Sequence, residues 1–397
     1  MARLRLRAVG LAAAAAAAVA LGTCSWASAA PYLPDDAGAS GRPGGWSTEQ
    51  WNFTGPFGVD APGAWANLRA AGEPGGTGVV VAVLDTGVAY ANRPPLRRSP
   101  DLSPAHIVPG RDFVDDDAYP LDRNGHGTHV ASTIAEQTDN HIGLTGLAYG
   151  ARIMPVRVLR DDGTGAPAVI ARGVRFAVAH GAKIINMSLD FGPQVGADEV
   201  SGLLDDIAAA RARGVLVVAS SGNTGVAAVA EPARSPDVLA VGATTEHGCR
   251  AAYSGHGARL DLVAPGGGDD AAIAGDPHCQ PGRRGRPIQQ VTLVHGQRAG
   301  SVGYVGTSMA APHVAAAAAL VVASRVVGTD PSPAAIGQRL EDTARDLGPA
   351  GHDDDYGWGL INAAAATAPG PARRPAPAGA TLASRAPAGT RSGAAGP

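Results

Sequence analysis

The sequence predicts an α/β fold, a three-layer αβα sandwich built on an open and mostly parallel sheet. Two observations predict it: short apolar, β-branched runs alternate with stretches of helical spacing, and several runs are apolar throughout, as strands buried on both faces are. A third concerns position. Asp85 ends the run Val79-Val80-Val81-Ala82-Val83-Leu84, and in such sheets functional sites lie at the carboxyl ends of strands.

The elements follow in chain order. Residues 79–84 read as a buried strand and 129–136 as a helix. A strand is expected over 153–159, a helix over 167–179 ending at Gly181, and a strand over 183–189. Residues 199–212 are helical, with Gly214 beyond the end. Strands are expected at 215–219, 238–243 and 260–264, followed by a long loop from 267 to 303. Helices over 308–322 and 333–343 close the pattern.

The chain has 397 residues, 45% apolar and 17% charged, enough for one large domain with tails. Its net charge of −3 makes no case for nucleic acid or an anionic membrane surface. Residues 1–29 read as an export signal: Arg3, Arg5 and Arg7 precede an apolar run from Leu11 to Leu21 and a small-residue site, Ala27-Ser28-Ala29. The run is short for a membrane span of ~20 residues. A lipoprotein reading through Cys24 is weaker, because Thr23 precedes it. A secreted protein with no membrane attachment after cleavage is therefore expected. Residues 30–50, rich in Gly, Pro, Asp and Ser, are expected to be disordered, as is the Pro/Ala-rich tail 368–397. The domain should span 51–367, and a monomer is the expectation.

Export leaves Cys249 and Cys279 as a pair in an oxidising compartment, and a disulfide is expected. Closing a loop of that length is worth about 3–4 kcal/mol in the chain-entropy account.

Three segments carry chemistry. Asp85 lies at a strand end, His126 in Asn124-Gly125-His126-Gly127-Thr128-His129, and Ser308 in Gly306-Thr307-Ser308-Met309-Ala310 at a helix start. A hydroxyl nucleophile needs a base to take its proton and a carboxylate to hold that base. Ser308 could be merely a helix cap, but the unpaired N–H groups of a helix start also favour a nearby oxyanion. Pro312 is placed in the first turn, where a missing N–H costs little. His126 is the expected base, with activity falling below about pH 6 as it protonates. Gly125 and Gly127 are expected to leave room around its ring. A metal pair of His126 with His129 is a poor alternative, since no third ligand is evident; His129 is expected to pack in the helix. Asp85 would be costly at the end of an apolar strand unless paired. Asn223, in Ser220-Ser221-Gly222-Asn223, is the expected oxyanion donor. Losing such a donor costs about 100- to 1000-fold in rate, a figure that comes from the family named next.

With those residues in that order, the chain resembles the subtilisin-like serine peptidases, whose triad runs Asp, His, Ser. The resemblance extends to Gly58-Val59-Asp60-Ala61-Pro62-Gly63-Ala64-Trp65, Ile185-Asn186-Met187-Ser188-Leu189, Ala264-Pro265-Gly266 and Tyr356-Gly357-Trp358-Gly359, covering about residues 51–366. It implies a subtilisin-like fold, cleavage of proteins or peptides through an acyl-enzyme, and no catalytic cofactor. Substrate would lie extended along Ser188, Leu189 and Asp190, near Ser220 and Gly222. Asp190 stands where many relatives have Gly; it predicts a mild preference for basic side chains near the cleaved bond, unless it points into water. Residues 30–50 are too few for the pro-domain of most exported relatives. The resemblance also implies structural calcium at two places. One is the loop with Asp112, Asp115 and Asp117, where Leu121 replaces an oxygen ligand; the other holds Asp101 and Asn140. Both could instead be solvated acidic loops. Two other readings are a processing protease of a secretion pathway, which often carries a C-terminal membrane helix, and an inactive peptide-binding relative, which usually lacks a triad member.

Overall fold

The computed structural model describes residues 32–294 and 298–371. The expected signal and nearly all of the expected tail lie outside the described residues.

The strands are β1 (Val80–Asp85), β2 (Arg111–Asp112), β3 (Arg152–Arg157), β4 (Ile184–Met187), β5 (Leu216–Ser220), β6 (Val238–Thr244), β7 (Leu262–Pro265), β8 (Ile288–Val294) and β9 (Arg298–Tyr304). The helices are α1 (Trp46–Glu49), α2 (Trp51–Thr54), α3 (Ala61–Ala70), α4 (His126–Ala135), α5 (Pro167–Ala179), α6 (Ser201–Ala212), α7 (Thr307–Ser324), α8 (Pro333–Asp342) and α9 (Ala363–Thr367). Seven strands form one sheet in the order β2-β3-β1-β4-β5-β6-β7, every pairing parallel.

The alternation of strand side chains sorts the core into two layers. Val81 and Val83 join Leu216, Val218 and Val241 on the face covered by α3, α4 and α7. Ala82 and Leu84 join Ile185, Met187, Val217 and Ala219 on the face covered by α5 and α6. Both faces are buried, so the strands read as continuous apolar runs. The run of alanines from Ala315 to Ala319 is fully buried, and these small side chains let α7 lie close against β4 to β7. By length and composition α7 could cross a membrane, but 89% of it is buried inside the protein.

Three expectations need correction. Residues 32–50 are not disordered. Trp46 and Trp51 are buried; the Trp46 ring meets Trp65 edge-on at 5.5 Å, and its Nε1 donates to the Pro34 carbonyl. The Gly and Pro content there makes turns around an aromatic anchor. The loop from 267 to 303 contains an antiparallel hairpin, β8–β9, whose apolar residues Ile288, Val291 and Leu293 pack on the core. Finally, α4 starts at His126 itself, earlier than expected, because the left-handed Gly125 (φ 111°) turns the chain into the helix.

Cys249 and Cys279 are joined by a disulfide, closing a loop of 30 residues and tying the stretch that leads to β8 back to the end of the sheet.

Candidate active site

The carboxyl ends of β1, β3 and β4 and the start of α7 meet around one cleft, lined by Thr86, Asn124, His126, Leu159, Ser188, Leu189, Asp190, Phe191 and Ser308 among others. Its accessible volume is about 450 Å³.

Asp85 ends β1 fully buried, and its Oδ1 accepts from His126 Nδ1 at 2.7 Å and from the Thr86 N–H at 2.7 Å. Such a partner offsets the cost of the buried charge. His126 keeps 26% of its side chain accessible. Burial works against its charged form, but the charge and hydrogen bond of Asp85, with help from Asp122, outweigh it and hold the pKa above the ordinary 6.5. The flanking glycines serve the backbone rather than the ring. A Cβ on Gly127 would lie 2.2 Å from the Gly87 carbonyl oxygen, and one on Gly125 would lie 2.6 Å from the Leu293 carbonyl oxygen.

Asp122 is a site residue that sequence reasoning missed. Buried under the His126 loop, it accepts from the Asn124, Gly125 and Thr128 N–H groups and from the Thr86 and Thr128 hydroxyls, all within 2.6–2.9 Å. It ties the loop after β1 to the start of α4, holding Asp85 and His126 in register. The Asp-x-Asn-Gly pattern signals a side-chain-capped turn, and that was the available clue.

Ser308 is the second residue of α7. In the conformation described, its Oγ donates to the Ser188 carbonyl at 3.2 Å, and it lines the same cleft as His126. Pro312 lies in the sixth position of α7, not in its first turn, so it withholds the N–H that the Ser308 carbonyl would otherwise accept. The Ser188 hydroxyl supplies the missing donor at 2.8 Å, itself held by Asn186 Nδ2 at 3.0 Å. Ser188 thus braces the backbone of Ser308.

Asn223 Oδ1 accepts from the Thr307 N–H at 2.8 Å and the Thr307 hydroxyl at 3.0 Å. A backbone N–H can only donate, so the oxygen is fixed there and Nδ2 is left as a donor. The Ser308 N–H has no carbonyl partner within α7, as expected so near a helix start. Leu189 is mostly buried, and its carbonyl accepts from the Ser220 hydroxyl at 3.2 Å. Ser220 is fully buried and stiffens the cleft wall instead of lining it. Gly222 has φ 103°, and a Cβ there would lie 3.2 Å from the Ala230 Cβ. Asp190 lines the cleft. His129 is buried; its Nε2 pairs with the Ile288 carbonyl at 3.0 Å and its ring stacks on Tyr304, so it is a packing residue.

The two expected calcium loops differ. At the first, a cation of the chain's own is already in place. Arg157 Nη1 lies 2.7 Å from Asp112 and 2.8 Å from Asp115, while Nη2 lies 2.6 Å from Asp161. Burial opposes that charge, yet the hydrogen bonds and charges of Asp112 and Asp115 hold the guanidinium firmly protonated. Asp117 turns away to accept from the Tyr119 N–H. Asp112, Asp115 and Asp117 therefore do not fit a metal. At the second, Asp101 Oδ1 accepts from Asn140 Nδ2 at 2.6 Å and Oδ2 from the Leu144 N–H at 2.9 Å. Asp36, Asp101 and Glu136 are all fully buried, and no described Lys or Arg forms an ion pair with any of them. Burial, followed by the neighbouring acids, pushes the Asp101 carboxyl up to about 7 and Glu136 well above its usual range. Glu136 Oε2 is buried without a partner. Their oxygens are of the kind a hard cation takes, but among the described residues no group of three or more His, Cys, Asp or Glu is arranged to hold a metal ion.

Residues 76–359 match the peptidase domain of the Subtilase family. Over 293 residues the chain is 39% identical to Subtilisin BL of Lederbergia lenta, covering 74% of this chain and 91% of that one. Subtilisin Savinase of the same organism matches with the same identity and coverage. Among solved structures, one described as proteases from Pseudoalteromonas arctica PAMC 21717 superposes with a TM-score of 0.66 at 30% identity, covering 85% of this chain and 99% of that one.

Proposed function

The chain belongs to the subtilase family of serine endopeptidases, and from that premise we propose that it is a secreted enzyme working through Asp85, His126 and Ser308. The observation that carries the triad assignment is the 2.7 Å bond from His126 Nδ1 to Asp85 Oδ1, with Ser308 on the same cleft.

The Ser308 hydroxyl turns from the Ser188 carbonyl to His126 Nε2 and attacks the peptide carbonyl carbon. Its proton passes to Nε2 as the C–O bond forms. The oxyanion is held by Asn223 Nδ2 and the Ser308 N–H. Asp85 stays ionised and stabilises the imidazolium. Return of the proton to the amide nitrogen breaks the C–N bond and leaves an acyl-enzyme, which water cleaves by the same steps. Substrate runs extended along residues 188–190.

Members of the family need no catalytic cofactor. A structural calcium would be held by Asp101 and Asn140 with Asp36, where its charge would offset the crowded carboxyls. The export-type residues 1–29 and the Cys249–Cys279 bond support an extracellular location. The protein acts as a monomer on protein substrates.

A fluorophosphonate probe tests the nucleophile. The wild-type protein should be labelled at Ser308 and the Ser308→Ala variant should not. A folded wild-type protein that stays unlabelled would overturn the assignment.

A further inference from the structure

The ends of β4 and β5 are neighbours in register, Met187 opposite Ala219. Beyond that point the Phe191 N–H turns to the Glu231 carbonyl and the Ser221 N–H to the Val241 carbonyl, so segments 188–191 and 221–223 part, with a slot between them. Gly222 forms one wall; a Cβ there would meet Ala230 at 3.2 Å and the Asp190 carboxyl at 3.8 Å. The absence of a side chain at residue 222 keeps the slot open beside that carboxyl. The next residue, Asn223, is the one assigned to the oxyanion. The side chain of the residue whose carbonyl is attacked must therefore enter next to Asp190.

Asp190 is equipped to receive a charge. Its Oδ1 accepts from the Gly192 N–H at 2.8 Å, which fixes the carboxyl in place. No described Lys or Arg pairs with it, whereas the nearby Glu231 is committed to Arg234 at 3.0 Å. Burial pushes the Asp190 carboxyl above its ordinary range, and only the Gly192 bond counters this. A half-buried carboxylate without a counter-charge is costly, and an entering cation removes that cost.

We propose that Asp190 is a specificity-determining residue that recruits arginine or lysine into this slot, directing cleavage to the bond after a basic residue. The assignment rests on the peptidase reading above. Arginine can donate two parallel hydrogen bonds to the carboxyl, whereas a leucine side chain leaves it unpaired in a slot from which water has been expelled.

The test uses peptides that differ only at the residue whose carbonyl is attacked: arginine, lysine, leucine, phenylalanine or glutamate. In the wild-type enzyme kcat/KM for arginine and lysine should exceed that for leucine by about tenfold or more, the range expected of a hydrogen-bonded charge. Asp190→Asn keeps the acceptor for Gly192 and removes the charge, so the arginine-to-leucine ratio should collapse toward one. The ratio also cancels the titration of His126, and it should fall in acid as Asp190 protonates. Benzamidine, a free planar cation, should compete with the leucine peptide in the wild-type enzyme, which gives a readout that needs no variant. Equal wild-type rates on arginine and leucine, or no competition by benzamidine, would overturn the assignment. Failure to cleave any peptide, with no fluorophosphonate labelling, sinks the peptidase reading and this assignment with it; labelling together with cleavage indifferent to charge sinks this assignment alone.

Discussion

The imidazole of His126 must be neutral to accept a proton, yet Asp85 and Asp122 favour its charged form. The raised pKa moves the acid limb of the activity profile upward, so half-maximal kcat/KM should fall above pH 6.5 instead of near pH 6. Asp85→Asn should lower that midpoint and reduce kcat by about 10⁴-fold. A pH–rate profile of both proteins checks this, and a wild-type midpoint at or below pH 6 contradicts it. The candidate residues Asp85, His126, Asn223 and Ser308 stood out in the sequence because each sits in a local context that its proposed chemistry requires. Asp122 did not, because its local Asp-x-Asn-Gly turn reads as an ordinary capped loop and its bond to the Thr86 hydroxyl, which ties it to the site, forms only on folding. Arg157 escaped because it stands on β3, far along the chain from Asp112 and Asp115.

At the scale of elements, the start of α7 depends on a trade between Pro312 and Ser188. Ser188→Ala should leave the Ser308 carbonyl short of a donor and cost about 1–3 kcal/mol. Pro312→Ala returns the N–H to the helix, so Ser188→Ala should cost less in that background. Urea unfolding of the two single variants and the double variant measures the coupling; strictly additive losses would refute the trade. The sheet strands were readable because β1, β4, β5 and β6 are buried on both faces and carry mostly apolar runs. The β8–β9 hairpin was not. Its buried positions include the polar Gln290 and Thr292 beside Ile288, Val291 and Leu293, and β9 is only partly buried, so the apolar pattern is diluted. Ile288-Gln289-Gln290-Val291-Thr292-Leu293-Val294 nonetheless carried a strand signal in its β-branched residues.

For the whole molecule, the two acidic loops make opposite demands. Around Asp101, three buried carboxyls lack a basic partner, and calcium bound there would add stability that grows with the logarithm of its affinity. Excess EDTA should lower the unfolding temperature by about 3–10 °C; a temperature that does not move would remove Asp101 and Asn140 as ligands. Residues 32–50 share in this, since the Asp36 carboxyl accepts from the Asp139 and Asn140 N–H groups and so ties the start of the described chain to the same loop. That tie joins residues distant in sequence, and composition alone could not show it. Around Asp112 the counter-ion is covalently part of the polypeptide. It cannot be stripped by a sequestering agent, diluted away, or exchanged for sodium. In a medium poor in divalent ions, loosening should therefore begin on the Asp101 side, while the edge of the sheet beside β2 keeps its shape.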